Sequence, residues 1–217
     1  MNKLKLLYAV VKTLKSKEAI TGILTAEVQK DQKKIFFLHN EFEKNLATRQ
    51  VKAKIATELD YDGKAVKHES NNEFTLDRFC EHGHHPGRPF PSPGHGFRHG
   101  GFRGGLTRLS LLLSLLDALQ ATEQEDKSIQ LTLNSADLPA DLQTLLYEKL
   151  SGKHPHHRHH GLMNEFATVA DPRFMVSIFI DKSHEIQKAV ATLSGSGTDE
   201  HRQQHALAAK VELTFVW

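Results

Sequence analysis

Apolar residues near the start of the chain recur at helical spacing. Leu4, Leu7, Tyr8, Val11 and Leu14 share one face, while Lys3, Lys5, Lys12, Lys15 and Lys17 lie largely around the other. So narrow a stripe, with few aromatic anchors, predicts a helix that caps a sheet rather than one lying in a membrane interface. The period then changes to two. Leu24, Ala26 and Val28 alternate with polar neighbours, as do Phe36, Leu38 and Phe42, with KDQK between the two runs as a turn. From Gln50 the alternation is longer: Val51, Ala53, Ile55, Thr57, Leu59 and Tyr61 stand against Lys52, Lys54, Ala56, Glu58 and Asp60 and lead into Asp62-Gly63. Asp-Gly between two strand patterns predicts a two-residue hairpin, here over residues 50 to 76. Its register places Tyr61 opposite Lys64, Leu59 opposite Val66 and Val51 opposite Phe74 on a buried face, with Thr57 opposite His68. Glu58 then meets Lys67 and Lys52 meets Glu73 on the other face.

The second half predicts strands in SIQLTLNS, RFMVSIFID and EIQKAVATLSG, and a last strand in which Leu207, Ala209, Val211, Leu213, Phe215 and Trp217 alternate with polar or small residues. Between the halves, LTRLSLLLSLLDALQ and ADLPADLQTLLYEKL predict two helices, the second with Asp137 as N-cap. SGSGTDEH from Ser194 falls between two strand patterns and predicts a long hairpin turn rather than a phosphate loop. The order is helix, four strands, a tract without periodicity, helix, strand, helix, a second tract, three strands.

An antiparallel sheet with one apolar face must cover that face. Three amphipathic helices and long strands predict an α+β fold: a strongly curved antiparallel sheet of about eight strands, half-barrel-like, covered by those helices. This element order resembles the open-barrel fold of bacterial lipoprotein carriers and related lipid-handling proteins. The resemblance spans most of the chain and implies helices closing the mouth of a half-barrel.

Composition divides this single domain, residues 1–217, at two places. Residues 82–105, HGHHPGRPFPSPGHGFRHGGFRGG, hold eight Gly, five His and four Pro and no acidic residue. So little apolar surface cannot offset the entropy of ordering the segment, which predicts a flexible insert that tolerates removal. A short His-rich loop follows at 153–161, around HPHHRHH. Over the whole chain the 39% hydrophobic content is sufficient for a core. The formal net charge of +2, with all 15 histidines neutral, offers no general field toward nucleic acid or anionic membrane. The single cysteine, Cys80, excludes an internal disulfide framework and fits a reducing compartment. Val11 is followed by Lys12, so the N-terminal apolar run is too short for a signal peptide or a spanning helix. A cytoplasmic protein is the expectation.

Chemistry concentrates in the two tracts. His82, His84, His85, His95 and His99 lie in the first and His154, His156, His157, His159 and His160 in the second. Neutral imidazole is a ligand for nickel, zinc and copper, and the Cys80 thiolate beside the first tract could join it. The spacing matches no closed Cys/His finger, so binding is expected to be labile and poorly selective. Arg98 and Arg103 with Phe97 and Phe102 form the repeat GFRHG-GFRGG, too few residues to predict a nucleic-acid partner. No nucleophile elbow, phosphate loop, zinc-protease motif or dinucleotide fingerprint is present. A lone His68 on an apolar face reads as a core residue. The expectation is a soluble, non-enzymatic protein that binds a divalent transition metal through both tracts, for storage, buffering or delivery. The alternative is a binding module whose sheet concavity holds an apolar ligand or a protein partner, with the tracts as spacers.

Overall fold

Asn2 opens the first helix, α1 (Lys3–Lys15), by accepting the Lys5 backbone N–H at 3.1 Å on its side chain. Lys12 and Lys15 in the last turn complement the helix dipole, and Ser16 ends it. The computed structural model describes residues 2–61, 63–75, 112–144, 169–198 and 203–217. After α1 come β1 (Ala19–Lys30), β2 (Lys33–Asn45), β3 (Gln50–Tyr61) and β4 (Lys64–Thr75). A helical segment at 112–118 precedes β5 (Gln120–Glu123) and β6 (Ile129–Asn134). A 3-10 turn (Ser135–Asp137) and a helical stretch at 140–144 lead toward β7 (Ala170–Ile180), β8 (Ile186–Thr198) and β9 (Gln204–Val216).

Among the described residues nine strands form one antiparallel sheet in the order β4-β3-β2-β1-β9-β8-β7-β6-β5. From β1 the chain steps outward to β4, while the second half steps inward from β5 to β9, which pairs with β1 at the centre. Leu24 stands opposite Leu213, Ala26 opposite Val211 and Val28 opposite Ala209. Turn chemistry sets the local registers. Asp31 and Gln32 both take positive φ, 48° and 66°, in the two-residue β1–β2 turn. The Asp31 carboxylate accepts the Ala206 N–H at 2.9 Å and fastens that turn to β9. In the β7–β8 turn Asp181 Oδ1 accepts from Ser183 N and Glu185 N at 2.8 and 2.9 Å.

The registers gather Leu24, Leu38, Ile55, Leu131, Val176 and Leu213 on one face, with Glu41, Lys54, Glu58 and Glu212 on the other. The best-buried core lies at one end of the apolar face. There Leu6 and Val10 of α1 meet Leu131 of β6 and Ile180 of β7, flanked by Leu7, Leu14, Leu119, Ile129, Ile178 and Ile186. The chain end is fixed beside it: Trp217 Nε1 donates to the Ile186 carbonyl at 2.8 Å, and Lys17 stands over the indole while pairing with Glu185.

The β3–β4 hairpin has the expected register at every pair, including Tyr61–Lys64, Leu59–Val66, Val51–Phe74 and Thr57–His68. Its burial differs: Val66 is 55% exposed and Phe74 46%, because β4 is a terminal strand with no helix over it among the described residues. The fold class also differs from expectation. Among the described residues the sheet has nine strands and is neither closed nor strongly curled, and the helices are minor and do not cover it. The half-barrel implied by the resemblance to lipoprotein carriers is therefore not the architecture of this chain.

The helices themselves depart from the sequence reading. In α1 the buried residues are Leu6 and Val10, whereas Leu4, Tyr8 and Val11 are exposed. The helical segment at 112–118 stops before the expected end, and Gln120–Glu123 pairs with β6 as a strand. Asp137 lies inside the 3-10 turn and is not an N-cap; Asn134 caps that turn instead, accepting the Ala136 N–H at 3.0 Å. Ser194–Thr198 belongs to β8 rather than to a turn. Among the described residues no helix is long and apolar enough to cross a membrane.

Candidate functional site

Every residue assigned to metal from the sequence lies outside the described residues: Cys80, His82, His84, His85, His95, His99, His154, His156, His157, His159 and His160. The insert at 82–105 and the loop at 153–161 lie there with them. What the fold defines is where these two stretches join the sheet. The segment between β4 and 112–118 leaves from Thr75, which pairs with Gln50 at one end of a terminal strand. It re-enters at the helical segment that leads to Gln120, at the other edge of the sheet and level with Glu69, midway along β4. Gln120 pairs with Thr132, close to the point where β6 finishes at Asn134 opposite Met175. The second stretch departs after 140–144 and returns at Ala170, which starts β7 opposite Ser196, beyond the Met175 that faces the end of β6. Three of the four junctions thus adjoin β5, β6 or β7 along the chain, toward one edge of the sheet.

Polar side chains hold this region together. Gln120 Nε2 donates to Asp137 Oδ2 at 2.9 Å, joining the start of β5 to the 3-10 turn. The Ser135 hydroxyl is buried and accepts the Phe174 N–H at 3.1 Å, joining that turn to β7. Lys3 Nζ donates to the carbonyls of Leu116 and Asp117, each at 3.0 Å, which places a cation at the end of the 112–118 segment. Leu138, just before the 140–144 stretch, and Leu142 within it are buried. Apart from Asp137, read as an N-cap, sequence reasoning gives these residues no part. Short-range turn signals from Asn134 to Asp137 mark the turn, but its partners come from strands far away in sequence.

The described histidines are dispersed. His39 lies on the polar face of β2, its Nε2 3.3 Å from Glu41 Oε1. His68 sits on the apolar face of β4 and is exposed, so it is not the core residue expected there. His184 is in the β7–β8 turn with φ 63°, and His205 is buried at the start of β9. Among the described residues no group of three His, Cys, Asp or Glu side chains is close enough to hold a metal ion.

The polar face carries the strongest local electrostatics. Lys67 Nζ lies 2.7 Å from Glu58 Oε1; this hydrogen bond and charge hold the Glu58 carboxyl below its usual range and raise the Lys67 ammonium. Lys188 and Lys210, at 2.6 and 3.0 Å, likewise lower Glu212. A shallow, open depression of about 390 Å³ runs between His39, Glu41, Lys54, Glu69 and Asn71. Its charges are of both signs, and no nucleophile is paired with a base there, so it presents no catalytic arrangement.

No protein-family model and no curated protein sequence matches the chain. Among solved structures it is similar to an N-terminal dehydratase from the difficidin assembly line, at 13% identity over 99% of this chain and 84% of the other, with a TM-score of 0.16. A bifunctional dehydratase-cyclase domain in ambruticin biosynthesis gives 11% identity over 99% and 79%, with a TM-score of 0.14. Superposition at this level carries no argument about fold or chemistry.

Proposed function

We propose that this chain is a non-enzymatic binder of divalent transition metal, nickel, zinc or copper, and that its two His-rich tracts hold ions jointly for storage, buffering or delivery. The observation that supports this reading is five histidines in each of two tracts, on stretches of which three of the four junctions adjoin β5, β6 or β7 toward one edge of the sheet. Imidazoles drawn from two stretches of one chain reach a common ion at higher effective concentration than those of separate molecules. Ligands set among Gly and Pro exchange it readily, because no rigid cage encloses it. Cys80 beside the first tract adds a thiolate ligand.

Equilibrium dialysis of untagged protein against Ni(II) and Zn(II), with bound metal counted, tests the proposal. Changing His154, His156, His157, His159 and His160 to Asn, or His82, His84, His85, His95 and His99 to Asn, is expected to weaken the same ions by about ten-fold or more in either case. Changing all ten is expected to remove most of the capacity. Retention of wild-type capacity by the ten-residue variant contradicts the proposal.

The open apolar face favours a second reading. Val211 is 40% exposed near the sheet centre, and the β1–β4 wing has no helix over it among the described residues. An apolar ligand or partner segment laid on that face makes the tracts incidental. This reading is preferred if the ten-histidine variant is indistinguishable from wild type in cells.

A further inference from the structure

We propose that β4 pairs antiparallel with β4 of a second copy of this chain, about a two-fold axis at Ser70, so that two nine-stranded sheets join into one. Among the described residues β4 is a terminal strand, twelve residues long, paired only with β3. Every second residue of such a strand turns its N–H and C=O away from the sheet. It carries neither Pro nor a bulge that would bend it away from a partner strand.

The side chains select the partner and the register. With Ser70 on the axis, Val66 lies opposite Phe74 of the second copy and Lys67 opposite Glu73, and both pairs occur twice by symmetry. His68 meets Asn72, and Glu69 meets Asn71. The rows already present within one chain then continue in kind. On the polar face, Glu43, Lys52 and Glu73 run across β2, β3 and β4 and continue into Lys67 and Glu58 of the second copy, alternating in sign at every step. On the apolar face, Val51 and Phe74 continue into Val66, Leu59 and Phe36 of the second copy. Val66 and Phe74, 55% and 46% exposed in the single chain, would each gain a cross-strand apolar neighbour. The adjacent registers fail: an axis at Glu69 sets Glu69 against itself, and an axis at Asn71 sets Glu69 against Glu73 twice. The match of charge and apolar pairs at one register argues for this chain itself as the occupant of the edge.

The test uses the full chain and its mass in solution over roughly 1 to 100 µM, a range that spans weak and moderate association. Wild type is expected at the mass of two chains. Lys67→Glu sets a new carboxylate against Glu73 twice, and Glu73→Lys sets a new ammonium against Lys67 twice, so each variant alone is expected to associate about ten-fold or more weakly. Mixed in equal amounts the two variants are complementary at both pairs, and the two-chain mass is expected to return. Within each chain the variants disturb Glu58 and Lys52 identically whether alone or mixed, so only pairing between copies explains the recovery. A second variant needs no charge change. Ser70→Cys in a Cys80→Ser background is expected to form a disulfide with its own copy under mild oxidation, while Glu69→Cys in the same background is not. A wild-type mass of one chain throughout, a mass above two chains, single variants as dimeric as wild type, no recovery on mixing, or equal crosslinking at both positions would each overturn the proposal.

Discussion

Leu131→Ala is expected to cost about 2–5 kcal/mol of stability, the range for removing a large aliphatic side chain from a packed site. For a chain of this size that is a fall in melting temperature of roughly 5–15 °C. Leu131 is 1% exposed and lies where Leu6 and Val10 of α1 meet Ile180 of β7. The sheet has this closely packed end and an open wing, so the cavity left by the methyl groups forms where most of the tertiary packing is concentrated. Its neighbours are held on separate elements and can close the gap only in part. Val216→Ala is the control: Val216 is 56% exposed, and its truncation is expected within about 0.5 kcal/mol. Thermal or denaturant unfolding of both variants measures the difference. Equal losses would mean that the α1–β6–β7 contact is not the core.

Metal binding by the tracts is expected to collapse between pH 7.5 and pH 5.5. Coordination needs unprotonated imidazole, and an ordinary histidine with pKa near 6.5 is about nine-tenths free at the upper pH and about one-tenth free at the lower. Each imidazole in a site therefore weakens apparent affinity by about ten-fold across the interval, and a three-imidazole site by about a thousand-fold. The sign follows from proton competition: affinity rises with pH through the histidine range and levels off above it. Isothermal titration of untagged protein with Zn(II) or Ni(II) at several pH values reads this directly. An affinity unchanged over the interval would assign the metal to carboxylates instead of histidines.

The β3–β4 hairpin is legible in sequence because Asp62-Gly63 pins its register and each resulting pair agrees in charge or apolar character. The exposure of its outer strand escapes that reading, although a signal for it is present: His68, Ser70 and Asn72 interrupt the apolar face between Val66 and Phe74, as an uncovered edge permits. In α1 nearly every face carries an aliphatic residue, so the spacing allows both the Leu4–Tyr8–Val11 stripe and the Leu6–Val10 stripe. Contact with Leu131 and Ile180 decides between them, and that contact is tertiary. β5 escapes the sequence reading, in which the helix runs to Gln120 and nothing is assigned to residues 121–123, because four residues are too few for alternation to show after a Leu-rich run. Curvature is hidden for a different reason: alternating strands read alike in a flat or a curled sheet. The shifts at Val28/Gln29, Ala170/Arg173 and Phe179/Ile180 arise from pairing. Of the candidate site, the two clusters of histidines are plain in the composition. That three of the four junctions lie toward the β5 edge emerges only with the strand order, since Gln120, Ser135 and Ala170 are distant in sequence.

The most direct test of the metal account is made in the cell that produces the protein. Total nickel, zinc and copper, together with growth under metal limitation and metal excess, are compared between cells carrying the wild-type tracts and cells in which all ten tract histidines are Asn, at equal protein abundance. The account predicts lower retained metal under limitation, slower growth at one or both extremes, or both. Identical metal content and identical growth across the whole range would contradict it.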